Sequence, residues 1–242
     1  MLNFKGKIAL VTGASRGIGY ALSKTLALQG ADVIALGRTQ GGLEQLDDDV
    51  KNANNPMAGN VTLVPMDLKK REAVNDLAAS IAARFGKLDI LVGNAAILGP
   101  MTPLSHLEVA DFMEILSINL IVNHRLIRAF EAPLKQNAGR ALFVTSSLAS
   151  SPRAFWGGYA ISKAGLENMV LTWADEMKKS PLKINIYDPG ATRTKMRATA
   201  FPGEDAMSLK DADAVANNML PYLHDSCDLH GKVISYHSPI KS

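Results

Sequence analysis

Tyr159 and Lys163 stand four residues apart, and Ser146 precedes the tyrosine by thirteen. On a helix, side chains at i and i+4 leave from one face, with Cβ atoms about 5–6 Å apart. A free tyrosine titrates near ~10 and exchanges protons poorly at neutral pH. An ammonium beside it favours the phenolate and lowers that value. A fall of about 2–3 units would bring Tyr159 to where a general acid/base works well. The spacing therefore predicts that Lys163 activates Tyr159. Alone, Tyr-x-x-x-Lys more often marks a half-buried tyrosine beside a solvated lysine, so its weight depends on the rest of the chain.

A second chemical signature lies near the start, in Val11-Thr12-Gly13-Ala14-Ser15-Arg16-Gly17-Ile18-Gly19. The apolar run before it, residues 8–11, is too short for a helix and reads as a buried strand. After it, Ile18, Ala21, Leu22, Thr25 and Leu26 recur at helical spacing, and Gly30 supplies a stop. Glycines between a strand and a helix let the backbone approach a pyrophosphate, whose oxygens meet free N–H groups at the helix N-terminus. The spacing here is G-x-x-x-G-x-G, not the commoner G-x-G-x-x-G.

The elements that position these residues alternate along the chain. Strands are predicted at residues 8–12, 32–36, 61–65, 90–93, 141–145, 184–187 and 232–236. The early ones are almost wholly apolar, as parallel strands covered on both faces should be. Helical stripes run through Val74, Leu77, Ala78, Ile81 and Phe85, ended by Gly86. Others run through Leu166, Met169, Val170, Trp173, Ala174 and Met177, and through Ala212, Val215, Ala216, Met219 and Leu220. Ser208 and Asp211 are read as a capping pair for the last of these. Lys69-Lys70-Arg71 is read as the solvated start of a helix. Residues 52–60 are read as a surface loop and residues 191–207 as a lid over the substrate. The fold class is α/β, a single Rossmann-type doubly wound parallel sheet of about seven strands with helices on both faces. Gly13, Asp67, Asn94, Ser146 and Pro189 each follow a strand, where ligands of such sheets bind.

These motifs, in this order, resemble the short-chain dehydrogenase/reductase family from Lys7 to about Tyr236. The resemblance implies a catalytic tetrad of Asn119, Ser146, Tyr159 and Lys163. Asn119, in Ser117-Ile118-Asn119-Leu120, would support a water chain that returns the proton. Ser146 would hold the substrate oxygen, with Ser147 structural because the thirteen-residue spacing fits Ser146. Gly13, Ser15, Arg16, Gly17, Ile18 and Gly19 would cradle the cofactor phosphates. Met66-Asp67-Leu68 resembles the turn that meets adenine, through Asp67 and Leu68. Gly93-Asn94-Ala95-Ala96 resembles the family's Asn-Asn-Ala-Gly turn, which brings Asn94 and Ala95 to the cofactor. Asp188-Pro189-Gly190, with Thr192 and Thr194, resembles the segment that holds the nicotinamide carboxamide. Tyr159 and Lys163 would also bond the nicotinamide ribose.

The implied reaction is hydride transfer between a nicotinamide cofactor and a carbonyl or alcohol carbon. The second strand ends in Leu36-Gly37-Arg38, without the carboxylate that accepts bonds from the adenosine ribose of NAD. Arg38 and Arg16 can instead pair with a 2′-phosphate, so NADP(H) is expected over NAD(H). A sensor or scaffold that binds NADP(H) without turnover is the alternative from another class. A nucleotide-sugar epimerase or dehydratase is a further one, against which the glycine spacing and the lack of a substrate domain both speak. Two departures stand out. Gly93 and Ala96 replace the outer residues of the Asn-Asn-Ala-Gly turn, and Tyr236-His237-Ser238-Pro239 stands where many members have Gly-Gly. The second departure weakens a tetramer, leaving a homodimer through the helices carrying Asn119 and Tyr159.

Composition sets the outer bounds. A chain of 242 residues, 47% of them hydrophobic, fits one α/β domain over residues 1–242. Its net charge of +3 is scattered, which argues against nucleic acid as a partner. No apolar run reaches the ~20 residues of a membrane span, the start carries no signal-peptide pattern, and no metal cluster stands out. Cys227 is the single cysteine, so a reducing compartment, the cytoplasm, is expected. Leu98, Met101, Leu148, Phe155, Trp156, Met196 and Phe201 suggest a small apolar or aromatic carbonyl or alcohol substrate. Arg153 and Arg197 either receive an anionic group or face water.

Overall fold

Short runs of valine, isoleucine, leucine and alanine bounded by turns make strands, and buried on both faces they pair in parallel. The computed structural model describes residues 2–70 and 73–237. Its strands are β1 (Ile8–Thr12), β2 (Asp32–Gly37), β3 (Val61–Pro65), β4 (Ile90–Gly93), β5 (Arg140–Val144), β6 (Lys183–Asp188) and β7 (Lys232–Ser235). They form one parallel sheet in the order β3-β2-β1-β4-β5-β6-β7. The direction of winding reverses between β1 and β4, which opens a crevice beyond their carboxyl ends.

The helices are α1 (Gly17–Leu28), α2 (Gln40–Asn52), α3 (Ala73–Phe85), α4 (Val109–Leu116), α5 (Val122–Gln136), α6 (Gly157–Met177), α7 (Lys195–Ala200) and α8 (Ala212–Leu223). Leu22 and Leu26 of α1, Leu43 and Leu46 of α2 and Met219 of α8 pack with Ala9 and Val11 on one face of the sheet. Leu77 of α3, Leu126 and Phe130 of α5 and Leu166 and Val170 of α6 cover the other, against Leu10 and Leu91. A wide π-helical turn (Ser117–Ile121) joins α4 to α5 and turns Asn119 inward.

The expected strands are all present, with ends displaced by a residue. Thr145 lies just past β5, Tyr236 just past β7, and Gly37 belongs to β2. Three other expectations change. Lys69 and Lys70 belong to a turn, not a helix start: Asp67 accepts the Lys69 N–H at 3.0 Å, and Lys69 pairs with Glu114. Arg71 lies outside the described residues. Ser208 does not cap α8. Its hydroxyl donates to the Asp205 carbonyl at 2.7 Å, while Asp211 alone accepts from Ala214 N at 2.7 Å. The 191–207 segment is more ordered than expected, because Thr194 accepts from Arg197 N at 3.2 Å and starts α7.

Candidate active site

The first turn of the site is built by threonine and asparagine side chains that lock β1 to β4. Thr12 Oγ1 donates to Val92 O at 3.2 Å and accepts from Asn94 N and Ala95 N at 2.9 and 3.0 Å. Asn94 Nδ2 returns a bond to Thr12 O at 2.8 Å. This buried lattice leaves no room beside it: a Cβ on Gly19 would overlap Gly13 O and Asn94 Nδ2. Gly19 therefore lets α1 close on the turn and does not face the cleft. The Gly93 departure has a similar cause, since a Cβ there would overlap the Phe143 ring. Phe143 fills the volume that the missing side chain leaves.

A cleft of about 420 Å³ runs from this turn across the sheet edge. Gly13, Ser15, Arg16, Gly17, Ile18, Arg38, Asp67, Leu68, Asn94 and Ala95 line one part of it. Ser146, Tyr159, Lys163, Pro189, Gly190, Thr192 and Thr194 line the rest. Of the expected catalytic and cofactor-binding residues, Gly19 and Asn119 are set back from this surface. The fit to a dinucleotide is good on three grounds. α1 begins without a side-chain cap or an acid in its first turn, so its N–H groups are free for an anion. Arg16 and Arg38 are exposed on the lining, and neither has a salt-bridge partner among the described residues. The Thr194 methyl lies 3.5 Å from where a Gly17 Cβ would stand, so the loop after β6 closes over the same helix end.

Tyr159 and Lys163 do share a face of α6, and both reach the cleft. The expected activation of the phenol is not what the geometry gives. Lys163 Nζ donates to the Val144 carbonyl at 2.8 Å and lies 5.7 Å from the tyrosine ring centroid. Burial pushes Tyr159 up to about 12, the negative charge of Asp188 adds to this, and the Ser146 hydroxyl acts in the opposite direction. Burial also pulls Lys163 down to about 8, opposed by the charge of Glu167. Desolvation is the largest influence at both groups; at Lys163 it outweighs the charge of Glu167. At neutral pH the phenol carries its proton.

Asn119 also departs from expectation. It is fully buried, where its side chain accepts from Ile97 N and donates to Ile97 O and Ser162 Oγ, each at 2.9 Å. Its own carbonyl accepts from Asn123 Nδ2 at 2.8 Å. Asn119 fastens the loop after β4 to α6, one residue from Lys163, and holds the cleft's two walls in register.

Three residues bear on the site beyond those expected to hold a role there: Glu167 and Lys210, which the sequence did not single out, and Asp188, which it placed only as part of the cofactor turn. Asp188 lines the cleft and accepts from Gly190 N at 2.9 Å, fixing the turn after β6. Half-buried Glu167 accepts from Thr145 Oγ1 at 2.8 Å, one turn beyond Lys163 on α6; its spacing of four was a signal. Lys210 donates to Ala191 O at 2.7 Å and lies 4.5 Å from the Tyr236 ring centroid and 3.3 Å from His237 Nε2. The Tyr236-His237 departure therefore braces the 190s turn, while Ser238 and Pro239 lie outside the described residues. No residue pattern announced this contact.

Near Tyr159 the wall is apolar, with Leu98, Leu148, Trp156, Met196 and Phe201. The Trp156 ring stands 6.0 Å from Tyr159 and 5.6 Å from Phe201. Met101 and Phe155 are not part of the wall; Phe155 is 55% exposed and strained at φ +72. Arg197 is held by Glu204 through two bonds of 2.6 and 2.5 Å. Among the described residues, no group of three or more His, Cys, Asp or Glu could hold a metal ion, and no helix is long and apolar enough to cross a membrane.

Comparison with known proteins agrees with this geometry. The sequence profile of the family described as short chain dehydrogenase matches residues 7–205. The uncharacterized oxidoreductase YciK of Escherichia coli K12 is 37% identical over 205 residues, covering 84% of this chain and 81% of YciK. The 3-oxoacyl-[acyl-carrier-protein] reductase FabG of the same strain is 33% identical over 196 residues, 81% of this chain and 77% of FabG. A short chain dehydrogenase from Shigella flexneri 2a, solved in complex with NADP, superposes with a TM-score of 0.88 at 34% identity. The match covers 96% of this chain and 97% of that one.

Proposed function

The chain belongs to the short-chain dehydrogenase family and is an NAD(P)-dependent oxidoreductase, and from that premise we propose an NADPH-preferring carbonyl reductase that works through Ser146, Tyr159 and Lys163. The observation that carries this reading is the convergence of those three side chains on one cleft with the uncapped start of α1. NADPH, when bound, supplies the hydride that reaches the carbonyl carbon. The phosphates fall to the N-terminus of α1 and its glycine turn, and the 2′-phosphate to Arg16 and Arg38. The nicotinamide end falls to Pro189, Gly190, Thr192 and Thr194, and its ribose to Tyr159 and Lys163.

Tyr159 donates its phenolic proton to the carbonyl oxygen. Ser146 Oγ–H donates a hydrogen bond to the same oxygen, stabilising the charge that develops on it. Lys163 sets the electrostatics behind the phenol, and Asn119 acts on both through the backbone it fastens. A phenol that holds its proton at neutral pH suits the donation step of carbonyl reduction. The apolar wall near Tyr159 favours an apolar or aromatic carbonyl compound and limits water.

The same reading makes residues 1–242 one dinucleotide-binding domain, with residues 191–207 as the substrate lid, in a cytoplasmic protein. It also makes the protein a homodimer. Val109, Met113, Ile121 and Ile161 are 75%, 58%, 43% and 43% exposed on the α4 to α6 surface, an apolar set that favours burial. Light scattering on the purified protein tests the dimer. The function is tested by following NADPH oxidation against a panel of ketones, aldehydes and quinones. Turnover lost in Tyr159→Phe supports it, whereas NADPH binding with no turnover across the panel points to the sensor reading.

A further inference from the structure

The cleft carries more positive charge than the cofactor uses. Arg16 and Arg38 stand at the ends of β1 and β2, and Lys163 lies behind Tyr159. Three further cations, Arg153, Lys195 and Arg197, also line it, Arg153 and Arg197 beside the Phe201 ring of the apolar wall. Among the described residues the carboxylates of the wall are Asp67 and Asp188; they accept from Lys69 N and Gly190 N, and neither forms an ion pair with Arg153.

Arg153 occupies an unusual electrostatic position. Its guanidinium carbon sits 5.3 Å from the centroid of the Phe201 ring, while that of Arg197 sits 3.8 Å from the same centroid. Two like charges thus share one aromatic ring. Arg197 is neutralised by the bidentate Glu204. The Arg153 side chain is exposed and has no ion-pair or hydrogen-bond partner among the described residues; its backbone carbonyl accepts from Trp156 N at 3.2 Å. The ring it rests on packs against Trp156, which in turn meets Tyr159. A planar donor fork preset by stacking on an aromatic face suits a carboxylate or a related oxyanion. With Arg197 committed to Glu204, Arg153 is the guanidinium of this pair left to meet an anion, and the positive charge of the cleft steers one in.

Resting on the reductase reading above, we propose that Arg153, seated on the Trp156–Phe201 stack, is a specificity-determining residue that binds an anionic group. The substrate class is then a carbonyl compound with an apolar or aromatic body and a carboxylate or equivalent oxyanion at its far end. The reacting carbonyl lies at Tyr159 and Ser146, the body against Trp156 and Phe201, and the anion at Arg153, with Lys195 adding to the field.

The test uses the full-length protein and para-formylbenzoate. Homologous acids with one to three methylenes between ring and carboxylate vary the reach, and each acid is paired with its methyl ester. With NADPH present, at least one acid is expected to exceed its ester about tenfold in kcat/KM. Arg153→Gln should abolish that margin, lowering the acid about tenfold more than its ester, and be rescued in part by Arg153→Lys. Raising the salt should shrink the margin, since the contact is partly solvated. Equal rates for every acid and ester in the unsubstituted protein would overturn the proposal, as would an equal fall for both in Arg153→Gln. Calorimetric titration of the protein with the same acids and no cofactor reads the site without turnover. Binding weakened about tenfold in Arg153→Gln supports it, and unchanged or absent binding overturns it. Turnover of the neutral esters meanwhile reports on the reductase reading itself, so the two failures are told apart.

Discussion

Tyr159 lines the cleft beside Ser146 and the turn after β6, where the hold on its proton governs the chemistry. Burial and Asp188 raise the phenol, and the lysine meant to lower it is bonded to Val144 O and is itself lowered to about 8. Tyr159→Phe should lower kcat by about 10²–10⁴, the usual worth of a positioned proton donor, while NADPH binding is retained and weakened by no more than about tenfold through the lost ribose hydrogen bond; steady-state kinetics and calorimetry check this. Lys163 also has a consequence for stability. A buried lysine whose folded value lies below its unfolded one binds fewer protons in the native state. The native protein is therefore penalised below pH about 8 and should gain stability as pH rises from there toward the ordinary lysine value. Lys163→Met should remove the penalty, raising the urea-unfolding free energy at neutral pH by about 1–3 kcal/mol while turnover collapses. A variant that is neither stabilised nor free of the pH-dependent rise contradicts this account. Glu167→Gln keeps an acceptor for Thr145 but loses the charge that supports the ammonium, so the alkaline limb of kcat/KM should move to lower pH.

The elements were legible where their pattern is periodic or their turn chemistry is specific. β1, the glycine turn and α1 could be read together because Gly13, Gly17 and Gly19 have few other uses between a strand and a helix. α6 was legible from its stripe of Leu166, Val170 and Trp173. The strand ends slipped by a residue because Thr145 and Tyr236 suit a strand, and only the register against β6 shows where pairing stops. α7 escaped notice because six residues are too few for a periodicity, and its start depends on the Thr194 cap. The Ser208–Asp211 pair misled for the opposite reason: the spacing is right, but Ser208 is spent on its own turn. Asp211→Ala should therefore destabilise the protein by about 1 kcal/mol, measured by denaturant unfolding. Ser208→Ala should not change it measurably.

Across the whole molecule, the parallel sheet delivers residues distant in sequence to one crevice, which is why motif order said so much about the site. What stayed hidden were contacts between segments with no periodicity: Asp188 on its own turn, Glu167 on Thr145, and Lys210 bracing Ala191 beside His237. Such partners are set by three-dimensional packing and leave little trace in local sequence. Cofactor choice belongs to this level as well, since the proposed preference for NADPH rests on the combined field of Arg16 and Arg38, with no carboxylate directly after β2. Arg38→Asp should weaken NADPH binding by about one to two decades and shift the preference toward NADH, as calorimetric titration of both cofactors would show. The central claim, that this cleft moves a hydride and a proton to a carbonyl, has one decisive measurement. NADPH dideuterated at the nicotinamide C4 is incubated with a reducible carbonyl from the panel, and the product is examined by mass spectrometry. The account predicts deuterium on the new alcohol carbon with the unsubstituted protein and a near-complete loss of that product with Tyr159→Phe, which still binds NADPH. An alcohol without deuterium, or the same labelled yield from Tyr159→Phe, would contradict it.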